Sequence, residues 1–392
     1  MMQVLEAHGK PPRRGRTWLL IGGACLLVLA AAAVAYEIGK STSSGSKNAD
    51  GGTTTTTAKT VATPLSIRST SPASGTNTAA SNSDISVTFS SAVSIGSVTP
   101  TLSPPVAGTW VQASPTTIRY DLAAPLIPSS SEVVTIPGGT SGVRARDGGT
   151  LPAGSSFGFT VADGDVMRLQ QLLAQLNFLP LSFTPTGATP APQDLATPAP
   201  GTFAWRWSTL PADLTSQWTQ GVETIITKAA VEMFENQNGL TVDGLAGPTV
   251  WSTLLADVAS NKVDSAPYTY VLVSKTLPEN LTLYNNGVAQ YTGIPVNTGA
   301  PGADTLDGTY PVFEHVTASE MKGTNVDGST YDDPNVPWAS YFNGGDALHG
   351  FVRANYGFPQ SNGCVEMTVA NAGMLWPLTP IGTLVTVVGP VS

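Results

Sequence analysis

The chain reads as three folded modules in series: a β-sandwich, a small three-helix domain and a mostly-β C-terminal domain. Three observations predict this order. Apolar residues alternate at period two between residues 65 and 162, recur at helical spacing from Asp163 to about 260, and return to period two from Ala266. Low charge (11%) with 40 Gly and 31 Pro favours β-modules and linkers over helical bundles, and 392 residues leave room for several cores.

The formal net charge of −9 is unevenly spread. Lys10, Arg13, Arg14, Arg16 and Lys40 outweigh Glu6 and Glu37 in the first forty residues, and the remainder is acidic. No basic stripe follows, which argues against a nucleic-acid partner. Residues 1–17 are expected to form a cytoplasmic tail and 18–38 a membrane helix. Trp18 to Tyr36 carries no charge, spans about 28 Å as a helix, and has an aromatic residue at each end. The basic residues before it predict a cytoplasmic N-terminus and an exported bulk. A cleaved signal peptide ending near Ala33-Val34-Ala35, or lipidation at Cys25, are the competing readings. Residues 39–64, rich in Ser, Thr and Gly, read as a tether.

Within residues 65–162 the alternating runs are Ile85, Val87, Phe89; Ile118, Tyr120, Leu122; and Phe157, Phe159, Val161. Half-buried antiparallel strands separated by Pro, Gly, Ser and Asn predict a sandwich. The pattern resembles bacterial Ig-like modules, which implies a spacer or wall-contacting role.

Residues 163–260 begin with an acidic cap, and Val166, Leu169, Leu172, Leu173 and Leu176 fall on one helical face. A Pro-rich insert from Leu179 to about Pro211 interrupts before Val222, Ile225, Ile226, Ala229, Met233 and Phe234 resume the period. Pro248 after a glycine turn suits the first position of a third helix. Leu169-Gln170, Phe234-Glu235, Asp243-Gly244 and Gly247 to Trp251 resemble the three-helix peptidoglycan-binding domain, which implies a glycan partner. A structural helical adaptor is the alternative, because the insert replaces the family's short first loop.

Residues 266–392 supply strands at Tyr268–Ser274, a hairpin around Asn286-Gly287, strands at Thr309–Phe313 and Leu384–Val388, and one helix at Thr368–Leu375. Here stand His349-Gly350 and, after a ten-residue run, Ser361-Asn362-Gly363-Cys364-Val365-Glu366. Cys364 has no second cysteine on the exported side, and an unpaired thiol kept in an oxidising compartment points to reactivity. A thiol near pKa 8.5 is only a few per cent ionised at neutral pH, so a nucleophilic cysteine needs a base such as His349. A buried free cysteine with an unrelated histidine is the bland alternative. Three histidines cannot build an ordinary metal site, so no metal or cofactor is expected.

The His-Gly and Ser-x-Gly-Cys-apolar motifs, with Asp307-Gly308-Thr309-Tyr310-Pro311-Val312 upstream, resemble the YkuD-type catalytic domain of L,D-transpeptidases. The resemblance implies a mostly-β fold in which Cys364 attacks a tetrapeptide stem and forms a thioester. An amine on a neighbouring stem then resolves it into a 3→3 cross-link. His349 acts as base, and the Gly350 carbonyl orients it. Gly363 and Cys364 are the candidate oxyanion donors through their N–H groups. Ser361, Asn362, Arg353 and Tyr341 are candidate substrate contacts, and Trp338 and Tyr356 line the cleft or the core. The implied partners are peptidoglycan stem peptides and a β-lactam of the carbapenem class. Glu366 departs from the Arg or Asn usual in the family, and His315 has no assigned role. An L,D-carboxypeptidase and a catalytically dead wall-binding protein remain as alternatives.

Overall fold

The computed structural model describes residues 62–96, 100–188 and 198–389. The expected tail, the anchor at 18–38 and nearly all of the tether lie outside the described residues. Among those described, no helix is long and apolar enough to cross a membrane.

Seven strands build the first module: β1 (Ile67–Ser71), β2 (Ile85–Phe89), β3 (Thr101–Ser103), β4 (Gly108–Ser114), β5 (Thr117–Leu122), β6 (Ser131–Ile136) and β7 (Ser155–Thr160). They form a β1-β2-β5-β4 sheet and a β3-β6-β7 sheet. Ile85, Val87, Phe89 and Ile118 from one meet Val134, Ile136, Phe157 and Phe159 from the other in a single core. The alternation in the sequence is therefore the alternation of inner and outer faces.

Next come α1 (Val166–Gln175), β8 (Leu181–Pro185), β9 (Gly201–Trp205), α2 (Ala212–Thr215), α3 (Ile225–Gln237) and α4 (Pro248–Ser260). Asp165 Oδ1 caps α1 by accepting from the Arg168 N–H at 2.9 Å, and Pro248 opens α4. The expected three-helix domain is corrected in two respects. The Pro-rich insert contains a hairpin, β8 against β9, in which Phe183 faces Phe203 with ring centroids 5.0 Å apart. The helices also have no core of their own. Leu172, Phe234, Trp251 and Leu254 share one cluster with Tyr268, Tyr270 and Leu384 of the C-terminal segment. Trp207 stacks on Tyr268, and Thr209 Oγ1 donates to the Gly287 carbonyl at 2.6 Å. Gln170 of the Leu-Gln pair is fully buried, donating to Val222 O and Thr227 Oγ1 and accepting from the Gly221 N–H.

The C-terminal segment contains β10 (Thr269–Ser274), β11 (Asn280–Asn285), β12 (Val288–Pro295), β13 (Gly308–Pro311), β14 (Glu314–Thr324), β15 (Thr330–Asn343), β16 (Asp346–Gly350), β17 (Val365–Met367), α5 (Val369–Leu375) and β18 (Leu384–Val388). Asn286 (φ +48°) and Gly287 (φ +76°) make the left-handed turn between β11 and β12 that the Asn-Gly pair predicts. Two sheets result, β12-β11-β10-β18-β13 and β14-β15-β16-β17. Val271, Leu283 and Val385 of the first pack against Phe342, Leu348, Val365 and Met367 of the second, with Ala372 and Leu375 of α5.

One buried carboxylate ties α3 to the turn that precedes α4. Glu235 is 1% exposed, and its Oε2 accepts from the N–H groups of Asp243 (3.0 Å) and Gly244 (2.9 Å). Burial raises its pKa to about 7, above the ordinary 4.5. The folded chain thus keeps a proton that the unfolded chain releases, so this stabilisation is full below about pH 4.5 and lost as pH rises to about 7. Glu235→Gln should match the parent in thermal unfolding at pH 4.5 and melt a few degrees higher at pH 8.

Candidate active site

The site is built on the parallel pairing of β16 with β17, in which Leu348 faces Val365, His349 faces Glu366 and Gly350 faces Met367. Parallel neighbours need a crossover of a dozen or more residues, and the run from Phe351 to Cys364 is that crossover. The spacing between the His-Gly and Gly-Cys motifs is thus a length the sheet demands. Side chains alternate across the sheet: Leu348, Val365 and Met367 enter the inner core, whereas Ala347 and Cys364 join an outer cluster with Met321, Val336 and Ala339. His349 and Cys364 fall on this outer face, diagonal across adjacent strands with Cα atoms roughly 8 Å apart.

His349 is 2% exposed, and its Nδ1 lies 3.2 Å from the Gly350 carbonyl oxygen. A proton on Nδ1 satisfies that contact and leaves Nε2 as a basic lone pair. Burial pushes the imidazole pKa down, and the Glu366 carboxylate and Gly350 carbonyl only partly restore it. Cys364 is 3% exposed, with its Sγ 3.7 Å from the Gly345 carbonyl oxygen. Burial pushes the thiol pKa up, and the Asp346 and Glu366 carboxylates act in the same direction. The resting arrangement is therefore a neutral thiol and a neutral imidazole. A base in this state accepts a proton without first losing one.

Ser361 to Met367 are all buried. Ser361 Oγ donates to the Cys364 carbonyl at 2.6 Å and accepts from the Gly363 N–H at 3.2 Å, closing the turn before the cysteine. That second bond occupies the Gly363 donor, which sequence reading aims at an oxyanion. Asn362 Nδ2 donates to Asn325 Oδ1 at 3.0 Å, fastening the motif to the turn between β14 and β15. A segment without sequence signal supports the same turn: Asn297 exchanges backbone hydrogen bonds with Glu366, and Ala300 N–H donates to Ser361 O. Thr305 Oγ1 donates to the Gly363 carbonyl at 2.6 Å.

Glu366, the family departure, is explained by Arg353. The guanidinium holds the carboxylate through two bonds, Nε to Oε2 at 2.8 Å and Nη2 to Oε1 at 2.7 Å. Their side chains are 15% and 4% exposed. Arg353 also lies 4.7 Å over the Phe351 ring, which meets the His349 ring edge-on at 6.0 Å. Tyr356 Oη donates to the Phe351 carbonyl, holding the same crossover. Two of the five N–H donors of Arg353 are thereby committed to Glu366. Tyr341 borders the Cys364 cluster and shares a 2.7 Å hydroxyl contact with Ser319. Asp333 is a neighbour that sequence reading missed, within electrostatic range of Arg353, Glu366 and His349. Trp338 holds a left-handed conformation at φ +60° and lines a small cavity with His349 and Trp376. His315 stacks on Trp376 at 3.9 Å and contacts its carbonyl oxygen through Nε2, a packing role.

Removing one member of a buried ion pair strands the other charge. Arg353→Ala and Glu366→Ala should each destabilise by on the order of 3 kcal/mol in denaturant unfolding. The reversed pair, Arg353→Glu with Glu366→Arg, should recover part of that loss.

Residues 268–387 match the L,D-transpeptidase catalytic domain family, and residues 61–161 match the bacterial Ig-like domain family. No curated protein matches the chain. Among solved structures, an L,D-transpeptidase from Mycobacterium smegmatis aligns at 10% identity and TM-score 0.29, covering 83% of this chain and 100% of that one. L,D-transpeptidase 3 from Mycobacterium tuberculosis, in complex with a faropenem-derived adduct, aligns at 13% identity and TM-score 0.28, covering 82% and 97%. The catalytic domain of the E. faecium L,D-transpeptidase aligns at 24% identity and TM-score 0.28, covering 31% and 96%. With the family matches in hand, the chain carries an L,D-transpeptidase catalytic domain, the domain of an acyltransferase, over residues 268–387, and a bacterial Ig-like domain over 61–161.

Proposed function

We propose that this protein is a peptidoglycan L,D-transpeptidase that works through a thioester on Cys364, with His349 as base. The observation that carries this reading is the β16–β17 register, which sets both residues on one face. Burial keeps the imidazole neutral and Nδ1 faces the Gly350 carbonyl, so Nε2 is the acceptor for the thiol proton. The donor stem's scissile carbonyl meets the thiolate, and the imidazolium returns its proton to the departing D-alanine amine. An acceptor amine on a neighbouring stem then attacks the thioester, which yields the 3→3 cross-link and regenerates the thiol. Backbone N–H groups beside Cys364 stabilise the tetrahedral oxyanion. The Cys364 N–H is free of the Ser361 contact that engages Gly363, so it is the stronger candidate.

Ser361, Asn362, Arg353 and Tyr341 shape the acyl-donor cleft in this reading, the first three by fixing the crossover. The uncharged run Trp18–Tyr36 supports a single-pass anchor with the folded bulk outside the cytoplasm, facing the wall. Carbapenems would acylate the same thiol. A glycan contact by residues 163–260 rests on the Asp243-Gly244 and Gly247-to-Trp251 pattern alone.

Purified protein incubated with disaccharide-tetrapeptide and analysed by mass spectrometry should yield cross-linked dimer with loss of D-alanine. Cys364→Ala should abolish it, and His349→Ala should slow it by at least about 100-fold. Tripeptide monomer as the sole product would identify a carboxypeptidase instead. Unimpaired cross-linking by Cys364→Ala would overturn the proposal.

A further inference from the structure

The strongest feature that the mechanism leaves unused is a second buried carboxyl beside the nucleophile. Asp346 begins β16, is 5% exposed, and receives a hydrogen bond from Asn343 Nδ2 at 3.4 Å. Among the described residues no Lys or Arg forms an ion pair with it. Its position is set by Gly363. That glycine sits at φ +111°, and a Cβ built on it would lie 2.3 Å from Asp346 Oδ1. The carboxyl thus occupies the room that a side chain at 363 would need, one residue from Cys364. Glycine is required there by the left-handed backbone and by the carboxyl alike.

We propose that Asp346 sets the ionisation of Cys364: its carboxylate, seated against Gly363, opposes the thiolate and holds the resting thiol protonated. Like charges at close range disfavour one another's ionised form, and the effect is reciprocal. The groups facing this pair come from each element around it. Tyr310 approaches Asp346 from β13 and Asn343 from β15, while Tyr341 of β15 and Glu366 of β17 face Cys364 and His349 of β16 shares its face of the sheet. The one guanidinium nearby, Arg353, is held by Glu366. Burial raises the Asp346 pKa to about 7, so its charge changes within the working range of pH. The consequence is chemical protection: a thiol kept protonated alkylates and oxidises slowly. Asp346 acts through Cys364 and touches no substrate in this account, which makes it a positioning residue.

This inference rests on Cys364 being the nucleophile, but its test reads thiol ionisation and needs no turnover. The full-length protein, Asp346→Asn and Asp346→Ala are alkylated with iodoacetamide between pH 5.5 and 10, and modification of the Cys364 peptide is timed by mass spectrometry. Circular dichroism selects the folded variants. Neutralising Asp346 should speed alkylation about tenfold at pH 8. The variant-to-parent ratio should fall towards one at pH 5.5, where the parent's Asp346 is itself protonated; a packing role alone gives no such slope. A ratio that stays flat with pH overturns the proposal. So does a parent profile with its midpoint at or below the ordinary thiol value of about 8.5, a criterion that holds even if neither variant folds.

Discussion

The catalytic half of this molecule depends on one constraint, the parallel pairing of two short strands. β16 and β17 share only three register pairs. Because they run the same way, the chain must travel the length of the sheet between them, and the crossover from Phe351 to Cys364 does so without a helix. The alternation of faces then separates structure from chemistry. Leu348, Val365 and Met367 fasten the sheet to the core, leaving His349, Cys364 and Glu366 on the other side. A slip of one residue would exchange the two sets, so the core that fixes the register also fixes the site.

The electrostatics follow from the same burial. A thiol and an imidazole removed from water both favour their neutral forms, and the surrounding carboxylates reinforce this for the thiol. A buried carboxylate opposite His349 would otherwise be costly, and Arg353 offsets it with a bidentate bond. Through Phe351 that guanidinium also links the ion pair to the imidazole ring. The crossover is thereby held by charge at Arg353, by hydroxyls at Ser361 and Tyr356, and by the amide of Asn362.

Much of this was legible in the sequence. Period two in Ile85-Val87-Phe89 and Phe157-Phe159 marked sandwich strands, Asn286-Gly287 marked its turn, and Leu384–Val388 formed a strand at those bounds. The motif residues announced themselves through glycine spacing. What stayed hidden depends on contacts distant in sequence. Thr305 and the 297–300 segment support the cysteine turn through backbone bonds that leave no residue signature. The pairing of Arg353 with Glu366 joins residues that sequence reading weighed separately, one as a substrate contact and one as a liability. Proline density concealed the β8–β9 hairpin, whose Phe183 and Phe203 pair directly across the two strands. The helices looked self-contained because their period is clear, yet their apolar faces are completed by Tyr268, Tyr270 and Leu384 from the neighbouring sheet.

That shared core joins the helical segment to the β12-β11-β10-β18-β13 sheet of the C-terminal domain. The central claim is that Cys364 takes the acyl group. Rapid acid quenching of the full-length protein with a tetrapeptide donor and no acceptor, followed by intact-mass and peptide analysis, tests it most directly. The account predicts a tripeptide acyl adduct on the peptide containing Cys364 that hydroxylamine removes. Donor consumption with no adduct on that peptide, or an adduct on another residue, would contradict it.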